Sequence, residues 1–199
     1  GDVALRGTAQ DLLLWTWKPL DPAGRPVEGL DTAGLRVVQL PPVTSGAQGF
    51  ADLVDGDGRP LDAAAKARRR DALLAAFVAA RPDVLALEAF PFGRRPMRFE
   101  LQPLLDAAHS ARPRPLIVAS VRDILQETRK ADRAEETVRT LLGRFDHVIV
   151  HGDERIARLG DTFPLADRID HMIRYSGIVA PPSASRPPAG RRYDAIVSA

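Results

Sequence analysis

Four short apolar runs, separated by stretches of helical spacing, constrain this chain more than any other feature. Leu35-Arg36-Val37-Val38-Gln39-Leu40, Val84-Leu85-Ala86-Leu87, Pro115-Leu116-Ile117-Val118-Ala119-Ser120 and His147-Val148-Ile149-Val150 are near-continuous rather than alternating. That is the pattern of strands buried in a parallel sheet with both faces covered. Between them, Leu61 to Ala80 places Leu73, Leu74, Phe77 and Val78 on one stripe before Arg81-Pro82-Asp83 stops it. Pro96 sits at a first-turn position, followed at helical spacing by Met97, Leu101, Leu104, Leu105 and Ala108. A third helix is expected from Asp132, with Glu135 at the capping-box position, through Val138, Leu141 and Leu142 to a stop at Gly143. Strand alternating with helix predicts an α/β fold: a Rossmann-like parallel sheet with helices on both faces and right-handed crossovers.

Composition narrows the function classes. The 199 residues are 45% hydrophobic, enough to bury a core, so extended disorder is not expected. No apolar run is long enough to span a bilayer, and no basic segment leads into an apolar signal core. These features predict a cytoplasmic protein without a transmembrane segment. With 28 Lys+Arg against 26 Asp+Glu the net charge is only +2. Neither clustered charge nor interleaved aromatics mark a nucleic-acid interface. The basic residues are nearly all arginine, the exceptions being Lys18, Lys66 and Lys130. The absence of cysteine excludes disulfides and thiolate metal sites, and no His-Glu-x-x-His, acidic calcium loop, Walker motif or nucleophile elbow occurs. No metal site is expected.

The two ends differ from the middle. Residues 1–25 hold Trp15 and Trp17 among Pro19 and Pro22 and give no strand or helix pattern. Residues 181–190 have the composition of a proline-rich linker, and 191–199 read as a strand. The expected organisation is therefore an atypical segment over 1–25, an α/β domain over 26–180, the linker, and the first strand of a further domain.

Ligands of open parallel sheets bind beyond the carboxyl ends of the strands, and four such segments carry chemistry. After the second run, Glu88-Ala89-Phe90-Pro91-Phe92-Gly93-Arg94-Arg95-Pro96-Met97-Arg98-Phe99-Glu100 joins carboxylates, aromatics and three arginines at a helix start. Cations there oppose the helix dipole by roughly 0.3–1 kcal/mol unless an anion or carboxylate compensates. The segment therefore either binds an anion or has Phe90 and Phe92 in the core beneath solvated arginines. After the third run stand Arg122, facing the cleft or pairing with Glu88, and Asp123, a cleft residue or a helix N-cap with Gln126 at the capping-box position. After the fourth, His151-Gly152-Asp153 can hold a hydroxyl or phosphate, or form a satisfied turn. Thr44-Ser45-Gly46-Ala47-Gln48-Gly49 reads as a flexible polar loop, and Arg68-Arg69-Arg70 as a solvated helix face.

Several of these stretches coincide with a known pattern. Val37-Val38-Gln39-Leu40-Pro41-Pro42, Arg81-Pro82-Asp83-Val84, Phe90-Pro91-Phe92-Gly93-Arg94-Arg95, Arg98-Phe99-Glu100-Leu101-Gln102-Pro103-Leu104-Leu105, Ser120-Val121-Arg122-Asp123-Ile124-Leu125, Val150-His151-Gly152-Asp153, Thr162-Phe163-Pro164-Leu165-Ala166 and Tyr175-Ser176-Gly177 match it. Together these stretches resemble the bacterial predicted glycosyltransferases related to the MurG type (family 28). The resemblance covers about residues 26–199. It implies the N-terminal, acceptor-side half of a two-domain GT-B hexosyltransferase that needs no cofactor or metal. The UDP-linked nucleotide-sugar donor would be held mainly by the second domain. The acceptor would be a small molecule or glycolipid, which allows peripheral membrane contact. Carried over to the cleft are Phe92, Gly93, Arg94, Arg95, Arg98, Glu100, Arg122, Asp123, His151 and Asp153, with the catalytic base unassigned.

The sequence departs from that group at both ends. Its expected opening strand and histidine-bearing glycine loop find no match in 1–24, and the donor-domain strand stops at Ser198-Ala199. The expectation is a truncated or frameshifted reading that is inactive alone and has an uncovered sheet edge. The alternative is a non-catalytic α/β module that binds an anionic small molecule or a partner protein through Phe92 to Arg98.

Overall fold

A computed structural model describes residues 12–15, 38–46, 49–122 and 131–177. In chain order its elements are β1 (Leu12–Trp15), β2 (Thr44–Gly46), β3 (Gly49–Val54), α1 (Ala63–Ala80), β4 (Val84–Glu88), α2 (Arg98–Ser110), β5 (Leu116–Arg122), α3 (Ala131–Arg144), β6 (His147–His151) and β7 (Ile173–Tyr175). Five strands form one sheet in the order β1-β4-β5-β6-β7, parallel throughout. β2 and β3 form a separate antiparallel hairpin. The fold is α/β, a Rossmann-like parallel sheet flanked by helices. No described helix is long and apolar enough to cross a membrane.

Each helix follows from local chemistry. At the head of α1, the Asp62 carboxylate accepts the Ala65 N–H at 2.6 Å. At its end, Arg81 adopts a left-handed φ of 44° and donates its N–H to the Phe77 carbonyl, with Pro82 barring continuation. A 3-10 turn over Arg95–Met97, with Pro96 in it, leads into α2, whose Leu101, Leu104, Leu105 and Ala108 are fully buried. The spatial order of the described strands follows chain order. One core cluster joins Leu73 and Phe77 of α1, Leu101 and Leu105 of α2, and Val138 and Leu141 of α3. They pack against Leu85, Leu87, Ile117, Ala119, Val121, Val148 and Val150 of the sheet. Each of these leucine, isoleucine, valine and phenylalanine side chains contributes about 1.5–3 kcal/mol on burial. The opposite face carries Ala86, Val118 and Ile149.

Several expectations need correction. The first apolar run shows no strand where it is described: Val38, Gln39 and Leu40 are irregular, with Val38 exposed, and Leu35 to Val37 lie outside the described residues. Pro41 and Pro42 follow at once and offer no N–H to a ladder, so the run cannot continue into a central strand. The strand comes instead from the N-terminal segment, where Leu12–Trp15 pairs with Val84–Leu87 at the β4 side of the sheet. The sheet therefore begins before residue 26, and that side of β4 is occupied. The stretch read as a flexible polar loop begins with β2 and ends with the first residue of β3. Val78 and Leu142 are exposed, off their helices' buried stripes, and α3 runs through Gly143 to Arg144. Arg69 is not solvated. It is buried and donates to the Glu100 carboxylate at 2.7 and 3.3 Å, and also to the Pro41 carbonyl. The linker 181–190 and the strand expected over 191–199 lie outside the described residues.

Candidate functional site

The polar groups of the sheet gather at its carboxyl edge. Register pairs Glu88 with Ser120 and Arg122 with His151, so these residues share one face where β4, β5 and β6 end. His151 is held between two hydroxyls. Its Nε2 lies 2.7 Å from Ser120 Oγ and its Nδ1 3.1 Å from Ser176 Oγ. Ser176 sits just past β7, pinned by its backbone N–H donating to the Val150 carbonyl at 3.0 Å. The Ser176 hydroxyl also reaches the Gly177 carbonyl at 3.1 Å. Gly177, with φ 75°, turns the chain at a conformation few other residues adopt.

The loop between β4 and α2 is built differently from the sequence expectation. Phe90 is fully buried and 6.4 Å from the Phe145 ring, while half-buried Phe92 meets Phe163 edge-on at 5.1 Å. Ala89 and Arg94 both take left-handed backbone conformations, and the Gly93 N–H donates to the Ala89 carbonyl at 2.6 Å. Arg94 lies 3.7 Å from the Glu88 carboxylate, so Glu88 meets Arg94 rather than Arg122. Arg95 and Arg98 turn to α3. Both pair with Glu136, Arg98 at 2.5 Å, and Arg95 also donates to the Arg133 carbonyl at 2.9 Å. The Arg95 hydrogen bond, with Arg98 adding to it, holds the Glu136 carboxyl below its ordinary range despite an opposing desolvation. The carboxylate that a cationic helix start requires is thus Glu136.

Glu100, expected in the cleft, is in the core with Arg69. Asp153 bonds within its own turn: Arg155 donates to it through its guanidinium, at 2.5 Å in the shortest contact, and through its backbone N–H at 2.9 Å. These bonds, the side-chain one foremost, hold the Asp153 carboxyl down to about 2. Asp123 lies outside the described residues. Of the predicted residues that are described, the structure brings His151 and Arg122 together at the strand ends, with Arg94 beside Glu88, and leaves the others elsewhere. Ser120 and Ser176 complete the cluster. Their only sequence signal is position, one near the end of an apolar run and the other before a glycine.

A concavity lined by Pro41, Pro42, Asp55, Asp57, Leu61 and Arg68 lies between α1 and the hairpin, away from the strand ends. Among the described residues no group of three histidine or carboxylate side chains is placed to hold a metal ion. Comparisons with protein families, with curated proteins and with solved structures find no match for the chain.

Proposed function

We propose that this chain is the acceptor-side domain of a GT-B hexosyltransferase, holding a hydroxylated acceptor, a sugar or a glycolipid headgroup, at the carboxyl edge of its parallel sheet. In this reading a UDP-linked hexose is held by a second domain, and the chain works in the cytoplasm, at the membrane surface if the acceptor is a lipid. The observation that supports it is the hydrogen-bonded run Ser120–His151–Ser176 beside Glu88 and Arg122. Groups that both donate and accept, with a carboxylate and a cation at either side, suit the hydroxyls of a sugar. The anion-binding alternative draws on Phe92 to Arg98, and two of its three arginines already share the Glu136 carboxylate.

Saturation-transfer NMR with methyl hexosides tests the acceptor site on the chain itself. Contacts are expected in the wild type and lost in Ser120→Ala and His151→Ala. Hexoside signals that are absent, or unchanged in both variants, would sink the reading. UDP-hexose turnover measured on the same protein tests the division of labour, which expects none from the acceptor side alone.

A further inference from the structure

We propose that Ser120, His151 and Ser176 form a reactive-serine triad, in which Ser120 is acylated by esters and phosphonylated by organophosphorus electrophiles. This goes beyond acceptor binding and does not rest on the glycosyltransferase reading.

The geometry has the parts of an activated nucleophile. The 2.7 Å between Ser120 Oγ and His151 Nε2 is direct hydrogen-bond distance between nucleophile and base, and Ser176 supplies the third, orienting group at 3.1 Å. The partners accommodate the proton directions such a triad needs. Ser176 Oγ has the Gly177 carbonyl as an acceptor for its own proton, which leaves it able to accept from Nδ1–H. In that tautomer the free lone pair of the ring is on Nε2, facing the Ser120 hydroxyl. Each member stands at the end of a different strand, β5, β6 and β7. Both serine backbones are fixed: Ala89 N–H donates to the Ser120 carbonyl at 2.7 Å, and Ser176 N–H donates to Val150. Arg122, two residues along β5 and register partner of His151, is an exposed cation on the same face, suited to the charge that develops on a carbonyl oxygen. The Glu88 carboxylate, register partner of Ser120, is drawn toward Arg94.

In the reaction, Ser120 Oγ attacks the ester carbonyl and its proton passes to His151 Nε2. The C–O bond to the alcohol breaks as the imidazolium returns that proton to the leaving oxygen. Water then attacks the acyl carbon, giving its proton through His151 to Ser120 Oγ and releasing the carboxylic acid. A hydroxyl in the third position orients the ring without placing a negative charge against the imidazolium, so turnover should be slow. A covalent probe is the better readout.

The test is a fluorophosphonate probe on the folded chain, with adducts mapped by peptide mass spectrometry and rates followed over time. One adduct is expected, on Ser120, absent in Ser120→Ala. His151→Gln should slow labelling by roughly 100-fold or more, the scale of a lost general base. Ser176→Ala should slow it less, and circular dichroism should show all three variants folded. A wild-type chain that takes no adduct overturns the proposal. So does an adduct on another residue alone, a rate indifferent to His151→Gln, or equal labelling of the heat-denatured chain.

Discussion

The buried ion pair between α1 and α2 offers the sharpest test of the fold. Glu100 has no exposed side-chain surface and Arg69 only 9%, and they meet through bonds of 2.7 and 3.3 Å. Replacing Arg69 by methionine keeps most of the volume and takes the guanidinium away from a buried carboxylate. Breaking one side of such a pair costs about 3–5 kcal/mol, because the remaining charge stays desolvated after losing its counter-ion. At about 2–4 °C per kcal/mol for a chain of this size, Tm should fall by about 6–20 °C. The double variant Arg69→Met with Glu100→Leu removes both charges. It gives up the pair, whose net worth is small, and the bond from Arg69 to the Pro41 carbonyl, worth about 1 kcal/mol. The double variant should therefore be more stable than Arg69→Met alone, a strongly non-additive cycle. Urea unfolding followed by circular dichroism measures Arg69→Met, Glu100→Leu and the double variant. A single-variant cost below about 1 kcal/mol, or additive losses in the double, would show that the pair is not desolvated as described.

Three other outcomes are expected. Phe90→Ala removes a fully buried ring next to the site and should cost about 3–5 kcal/mol in the same urea assay. Because the fold lowers the pKa of Glu136, its stabilising contribution is present above the unfolded carboxylate range and is lost as pH falls through the folded value. Glu136→Gln should thus cost no more than about 1 kcal/mol at neutral pH, since the pair is partly exposed, and the difference should vanish in acid. The Asp153 carboxyl should titrate by NMR with a midpoint near about 2, moving up in Arg155→Ala when the guanidinium that depresses it is removed.

The strands β4, β5 and β6 were legible because a buried parallel strand must be apolar almost without interruption, and few other structures demand it. β1 was not, because Leu12-Leu13-Leu14-Trp15 is short, lacks β-branched residues and fits a helix as well as a strand. Only its pairing with Val84–Leu87 decides the matter, and pairing is a tertiary fact. Arg69 is a different case. Between Arg68 and Arg70 nothing local distinguishes it, yet it lies four residues before Leu73 and eight before Phe77, on the buried stripe of α1. Helical spacing alone could have placed it inside. Glu100 falls one residue before Leu101 and was read as a cleft carboxylate from its neighbours, when its partner stands 31 residues earlier. Charge reasoning located a need at the head of α2 without locating its answer. Glu136 lies 41 residues beyond Arg95.

That answer decides where a ligand can act. An anion approaching Arg95 or Arg98 competes with a carboxylate already bonded to both, whereas the serines and His151 proposed to meet a hydroxylated ligand or an electrophile hold one another at the strand ends. The site then depends less on the arginines than on the register of β7, three residues long at the sheet edge. A slip of one residue would carry Ser176 away from His151 Nδ1 and turn every β7 side chain to the other face. Two anchors oppose it. Tyr175 pairs with Val150 in the ladder, and its hydroxyl accepts the Leu159 N–H at 2.9 Å, joining the strand to the segment that leads into it. Both lie outside the triad they align. Tyr175→Phe removes the second anchor without touching a site residue, so a defect in that variant would mark alignment of β7, rather than chemistry alone, as what the edge must preserve.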